Sequence, residues 1–126
     1  MFTGIIEDIG SIISINKLSG KWEFSIKTVL AKAGISEGDS IAIDGVCLTA
    51  TKITGDTFVA DASLETLKVT TLAEKKTGVH VNIERAMGAN GRFGGHFVMG
   101  HVDCVGTIVD LKKSGDSTRL SVEVPI

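Results

Sequence analysis

The feature that most constrains this chain is one two-residue turn between two alternating runs. Ser40-Ile-Ala-Ile-Asp-Gly-Val-Cys-Leu-Thr49 reads apolar and polar by turns on both sides of Asp44-Gly45. Alternation at period two is the mark of a half-buried strand, and Asp-Gly is a strong short hairpin signal of type I′. A two-residue turn also fixes register. Ile43 then faces Val46, Ala42 faces Cys47, Ile41 faces Leu48 and Ser40 faces Thr49. Ser40, Ala42, Cys47 and Thr49 share one face, and Ile41, Ile43, Val46 and Leu48 share the other, which belongs to the core.

The rest of the chain follows the same period. Ile5 to Ile15, Trp22 to Thr28, Thr57 to Asp61 and Gly78 to Glu84 read as further strands. Helix is scarce: one turn at Thr28 to Lys32, and a short segment over Ser63 to Val69 capped by Asp61 or Ser63. Fifteen glycines against one proline suit tight turns between strands. About six strands before residue 90 predict an all-β fold, a closed or nearly closed antiparallel barrel.

The chain also repeats itself. Gly4-Ile-Ile-Glu-Asp-Ile-Gly-Ser-Ile12 matches Gly100-His-Val-Asp-Cys-Val-Gly-Thr-Ile108 at an offset of 96, and the register continues through Phe24 on Leu120 and Ile26 on Val122. We expect one complete domain over residues 1–96 and the opening strands of a second, incomplete copy over 97–126.

A net charge of -2 with no basic stripe argues against nucleic acid or an anionic membrane as the main partner. No apolar run approaches the ~20 residues of a membrane span. The N-terminus lacks the basic and apolar regions of a signal peptide. Two cysteines argue against a disulfide framework, and a reducing cytoplasm is the simplest compartment.

Three places could carry chemistry. Ser40, Cys47 and Thr49 form either a patch of small donors and acceptors suited to a heterocycle edge or an ordinary solvated strand face. Asp61, Ser63, Glu65 and Thr66 form either a polyol or heterocycle site or a plain helix cap. His96 and His101 lie among glycines that admit close approach of a ligand. A zinc site drawn from His96, His101, Cys104 and Cys47 matches no standard spacing. A nucleophilic Cys47 would need an imidazole within reach.

Five motifs in order resemble the riboflavin synthase family and its lumazine-binding repeat. They are Met1-Phe-Thr-Gly-Ile-Ile6, Asp44-Gly-Val-Cys-Leu-Thr49, Asp61-Ala-Ser-Leu-Glu-Thr-Leu67, Val81-Asn-Ile-Glu-Arg-Ala86 and Gly94-Gly-His-Phe-Val-Met-Gly-His-Val-Asp103. The resemblance implies tandem six-stranded antiparallel Greek-key barrels, of which only the first is complete here. It implies dismutation of two molecules of 6,7-dimethyl-8-ribityllumazine into riboflavin and a pyrimidinedione, without metal or cofactor. A non-catalytic lumazine- or flavin-binding protein is the alternative. Substrate contacts are implied at Gly4, Ile5 and Ile6, at Cys47, Leu48 and Thr49, at Asp61, Ala62, Ser63, Leu64, Glu65 and Thr66, and at Gly100, His101 and Val102. The catalytic candidates are Ser40, Cys47, His96 and His101. Implied partners are further copies of the chain, a trimer in the full-length family, together with lumazine synthase; at this length the unpaired strand edges over 97–126 point to a dimer.

Overall fold

The computed structural model describes residues 1–126. The first six strands are β1 (Asp8–Lys17), β2 (Lys21–Lys27), β3 (Ser40–Ile43), β4 (Val46–Thr54), β5 (Thr57–Ser63) and β6 (His80–Arg85). They close an antiparallel barrel in the order β1-β2-β5-β4-β3-β6. Placing β5 beside β2, with β6 closing onto β1, is a Greek-key crossing. A single α-helix, α1 (Leu64–Val69), follows β5. Two more strands, β7 (Thr107–Ser114) and β8 (Ser117–Glu123), form a separate hairpin.

The hairpin at Asp44-Gly45 has the expected register, with Ser40 opposite Thr49 and Ala42 opposite Cys47. Asp44 and Gly45 both take positive φ, 47° and 80°, as a type I′ turn demands. The inward face carries Ile41, Ile43, Val46 and Leu48 into a core shared with Phe24, Ile26, Phe58 and Ile83. Small residues leave room for large ones: Ala60 pairs with both Phe24 and Ala50. Gly10 is a further packing requirement. A β-carbon there would lie 3.0 Å from the Lys27 carbonyl oxygen and 3.1 Å from Ile83.

The repeat holds in three dimensions. Ile12 pairs with Ile26 and, 96 residues on, Ile108 pairs with Val122; each ladder then shifts register at the same place, Ile12/Ser14 and Ile108/Asp110. A β-carbon at Gly106 would meet Val122 and the Glu123 carbonyl, the counterparts of Ile26 and the Lys27 carbonyl beside Gly10. The apolar face differs in fate. Ile12 and Ile26 are buried, whereas Ile108 is 64% and Val122 49% exposed. The second hairpin therefore has the pattern of a barrel wall with no barrel behind it.

One expectation needed adjustment. The first strand begins at Asp8 and not at Ile5. Gly4 turns the chain at φ 82°, and Glu7 N–H donates to the Ile83 carbonyl before the ladder starts. The helix cap is Ser63, whose Oγ accepts from the Thr66 N–H at 3.1 Å, while Asp61 is engaged elsewhere. The turn near Thr28 is a 3-10 turn over Val29–Ala31. No helix is long and apolar enough to cross a membrane.

One end of the barrel is tied by Arg85. Its guanidinium holds Glu7 through Nη2 at 2.7 Å and the Ala33 carbonyl through Nη1 at 2.7 Å. The hydrogen bonds from Arg85 hold the Glu7 carboxyl below its ordinary value of 4.5, against a smaller opposing effect of burial. A depressed carboxylate stabilises the fold above its unfolded pKa, and that contribution is lost as pH falls through the folded one. The pair is partly exposed, so its worth is within ~1 kcal/mol. Arg85→Met should therefore lower stability at pH 7 modestly and leave a shallower decline below pH 4.5. Urea titrations of both proteins across that range check it; parallel pH profiles would refute it.

Candidate functional site

Barrel closure turns the second face of the Ser40–Thr49 hairpin outward. Ser40 faces Thr49, Thr49 faces Asp61 on β5, and Asp61 faces Glu23 on β2. Ser40, Thr49 and Asp61 thus form one row of polar side chains across three adjacent strands. Cys47, half-buried, is two residues from Thr49 on the same side, and Ser63 stands two residues beyond Asp61. Ser63 Oγ is 3.0 Å from Thr66 Oγ1, so two hydroxyls close this end of the patch.

Lys21 was not among the expected residues. It pairs with Ser63, and its Nζ reaches diagonally to Asp61 Oδ2 at 2.5 Å. That hydrogen bond is the main reason its pKa is raised. Glu23 lies directly opposite Asp61, a like-charge pairing that Lys21 offsets. Asp61 Oδ1 is shielded from solvent and has no partner.

The Cys47 end of the patch is roofed by backbone. The Cys47 N–H donates to the Gly100 carbonyl at 2.9 Å. Gly100 has φ 76°, and a β-carbon on it would come within 2.8 Å of the Cys47 β-carbon and 3.2 Å of the Phe2 ring. Only glycine passes here. The adjoining Val102 packs against the barrel core.

The remaining expected residues divide by location. Leu48 and Ala62 turn their side chains into the barrel, so they can offer an outer-face ligand backbone only. Leu64 and Glu65 are exposed on α1. Ile5 lies with Ser40, Ile35, Glu84 and Met87 around a groove of about 710 Å³, and Ile6 is exposed. The His96 N–H donates to the Thr3 carbonyl at 2.8 Å. Both imidazoles are exposed, and neither is hydrogen-bonded to Cys47. No group of three or more His, Cys, Asp or Glu side chains is arranged to hold a metal ion.

The chain is thus a small closed antiparallel barrel with a polar row on its outer wall beside the Gly100 backbone. The family profile described as the lumazine binding domain matches residues 3–86, and the chain belongs to that family. Riboflavin synthase of Actinobacillus pleuropneumoniae is 48% identical over 121 residues, covering 94% of this chain and 55% of that protein. Riboflavin synthase of Bacillus subtilis (strain 168) is 45% identical, covering 98% of this chain and 58% of that protein. The chain thus spans a little more than half the length of the curated relatives it matches. A crystal structure of LumP complexed with riboflavin superposes with a TM-score of 0.84 at 24% identity, over 99% of this chain and 68% of that one. LumP complexed with 6,7-dimethyl-8-(1'-D-ribityl) lumazine gives the same TM-score. This likeness shows the shared fold.

Proposed function

We propose that the chain is the first lumazine-binding barrel of a riboflavin synthase, residues 1–96, joined to the opening hairpin of a second barrel over 97–126. The observation that carries this reading is the outward row of Ser40, Thr49 and Asp61 beside Cys47 and Gly100, in a chain of the lumazine-binding family. The reaction is transfer of a four-carbon unit between two molecules of 6,7-dimethyl-8-ribityllumazine. The acceptor becomes riboflavin and the donor becomes 5-amino-6-ribitylaminopyrimidinedione.

The pteridine ring is its own electron sink, so its 7-methyl group is acidic and no metal or cofactor is needed. The protein holds two rings against each other and moves protons. In this reading Cys47, Thr49 and Asp61 bind one lumazine, with Ser63, Thr66 and the Gly100–Val102 backbone around it. Ser40, Cys47, His96 and His101 supply hydrogen bonds and proton transfer. The second lumazine belongs to a second barrel, and self-association brings barrels of different copies together. The exposed apolar face of β7 and β8 supports that association. Lumazine synthase, which would supply the substrate, is the further partner. Two unpaired cysteines support a cytoplasmic setting.

The test is formation of riboflavin from 6,7-dimethyl-8-ribityllumazine by the chain extended to the length of its relatives. Steady turnover supports the enzyme. Tight binding without turnover would favour a lumazine- or flavin-holding protein instead.

A further inference from the structure

Glu84 lies on the outward side of β6, opposite Ala42, yet is only 5% exposed. What covers it is the N-terminal segment. Glu84 Oε1 accepts from the Thr3 N–H at 2.8 Å, the Thr3 hydroxyl at 2.9 Å and the Gly4 N–H at 3.2 Å. A buried carboxylate is stable only when such donors replace its water.

The segment it holds is itself a link. Phe2 and Val98 exchange both backbone hydrogen bonds, at 2.7 and 3.0 Å, and the Thr3 carbonyl accepts from His96. Two residues beyond Val98, the Gly100 carbonyl accepts from the Cys47 N–H. A continuous path therefore runs from the Glu84 carboxylate through Thr3 and Phe2 to Val98, Gly100 and Cys47. The barrel ladders do not depend on it, since β3 and β1 pair with β6 through backbone.

We infer that Glu84 is a positioning residue: it fixes the Met1–Gly4 segment and, through the Phe2–Val98 pair, the Gly100 backbone that roofs Cys47. The inference rests on the proposed ligand site for its effect on binding, but not for its effect on Cys47.

The experiment uses the 126-residue chain with Cys104→Ser, which leaves Cys47 as the sole thiol. Three proteins are compared: this parent, Glu84→Ala and Glu84→Gln. Three readouts are taken: alkylation of Cys47 by iodoacetamide, riboflavin affinity by flavin fluorescence, and amide hydrogen exchange. Losing these charge-assisted hydrogen bonds should loosen the segment by at least about tenfold. Glu84→Ala should therefore speed Cys47 alkylation and weaken riboflavin binding, each by about tenfold or more. Exchange should quicken at Phe2 and Val98 and stay slow at Phe24 and Ile83. Glu84→Gln keeps an acceptor oxygen and should recover most of both effects.

Unchanged Cys47 alkylation in Glu84→Ala would overturn the inference. So would loss of protection throughout the barrel, which would make Glu84 a support of the whole fold. If the parent itself binds no riboflavin, the ligand-site reading fails, and the alkylation and exchange results still decide the role of Glu84.

Discussion

Gly100→Val is expected to weaken riboflavin binding by about a hundredfold while leaving the barrel folded. A valine β-carbon would sit 2.8 Å from the Cys47 β-carbon and 3.1 Å from its backbone nitrogen. Neither neighbour can give way, because Cys47 is fixed in the β3–β4 ladder. The φ of 76° adds strain of roughly 1–2 kcal/mol for any residue with a side chain. The segment must therefore lift, losing the Cys47–Gly100 hydrogen bond at roughly 1 kcal/mol. A ligand that needs this roof has to restore it against both costs, which amounts to about two tenfold steps. The core contains no part of Gly100, so circular dichroism should keep the form of the folded barrel and thermal unfolding should shift down by only about a few degrees. Affinity within threefold of the parent would show that Gly100 does not border the ligand.

The second large effect concerns length. The isolated 126-residue chain should bind ligand but form riboflavin at no more than a few per cent of the rate of a chain extended to complete the second barrel. The chain holds one full polar row, and residues 97–126 contain no second hairpin of the Ser40–Thr49 kind. Two copies can still associate through the bare face of β7 and β8. That contact has no reason to set two rings at reacting distance, and an error of ~1 Å removes about a hundredfold in rate. Steady-state assays of both lengths at equal binding-site concentration decide this. Equal rates would mean that one barrel per chain suffices and that the shared-site account is wrong. In the longer chain, Cys47→Ser and His101→Ala should slow turnover without unfolding, since neither side chain belongs to the barrel core.

What the sequence made legible was local. Asp44-Gly45 is a two-residue turn, so it sets the pairing of Ser40 with Thr49 before any other strand is placed, and the barrel keeps that register. The repeat was legible for a similar reason, because a constant offset needs no knowledge of topology. The partners of Asp61 were not legible. Lys21 meets Asp61 only because β2 and β5 are neighbours, and nothing in either strand announces that crossing. Glu84 was hidden more deeply. Its alternation with Val81 and Ile83 marks it as a solvent-facing position, and its burial comes from Thr3 and Gly4 some 80 residues away. The contiguous runs taken from family resemblance mix two environments for the same reason: alternation sends Leu48 and Ala62 into the core while Cys47, Thr49, Asp61 and Ser63 face out.

The central claim is that the outer wall of the first barrel is a lumazine and flavin site. The most direct test is titration of the folded 126-residue chain with riboflavin and with 6,7-dimethyl-8-ribityllumazine, followed by ligand fluorescence, alongside Thr49→Val and Asp61→Asn. Both ligands should bind saturably at one site per chain, and each substitution should weaken binding by about tenfold, the worth of one or two hydrogen bonds. No saturable binding by a folded sample up to millimolar ligand, or full affinity in both variants, would contradict the account.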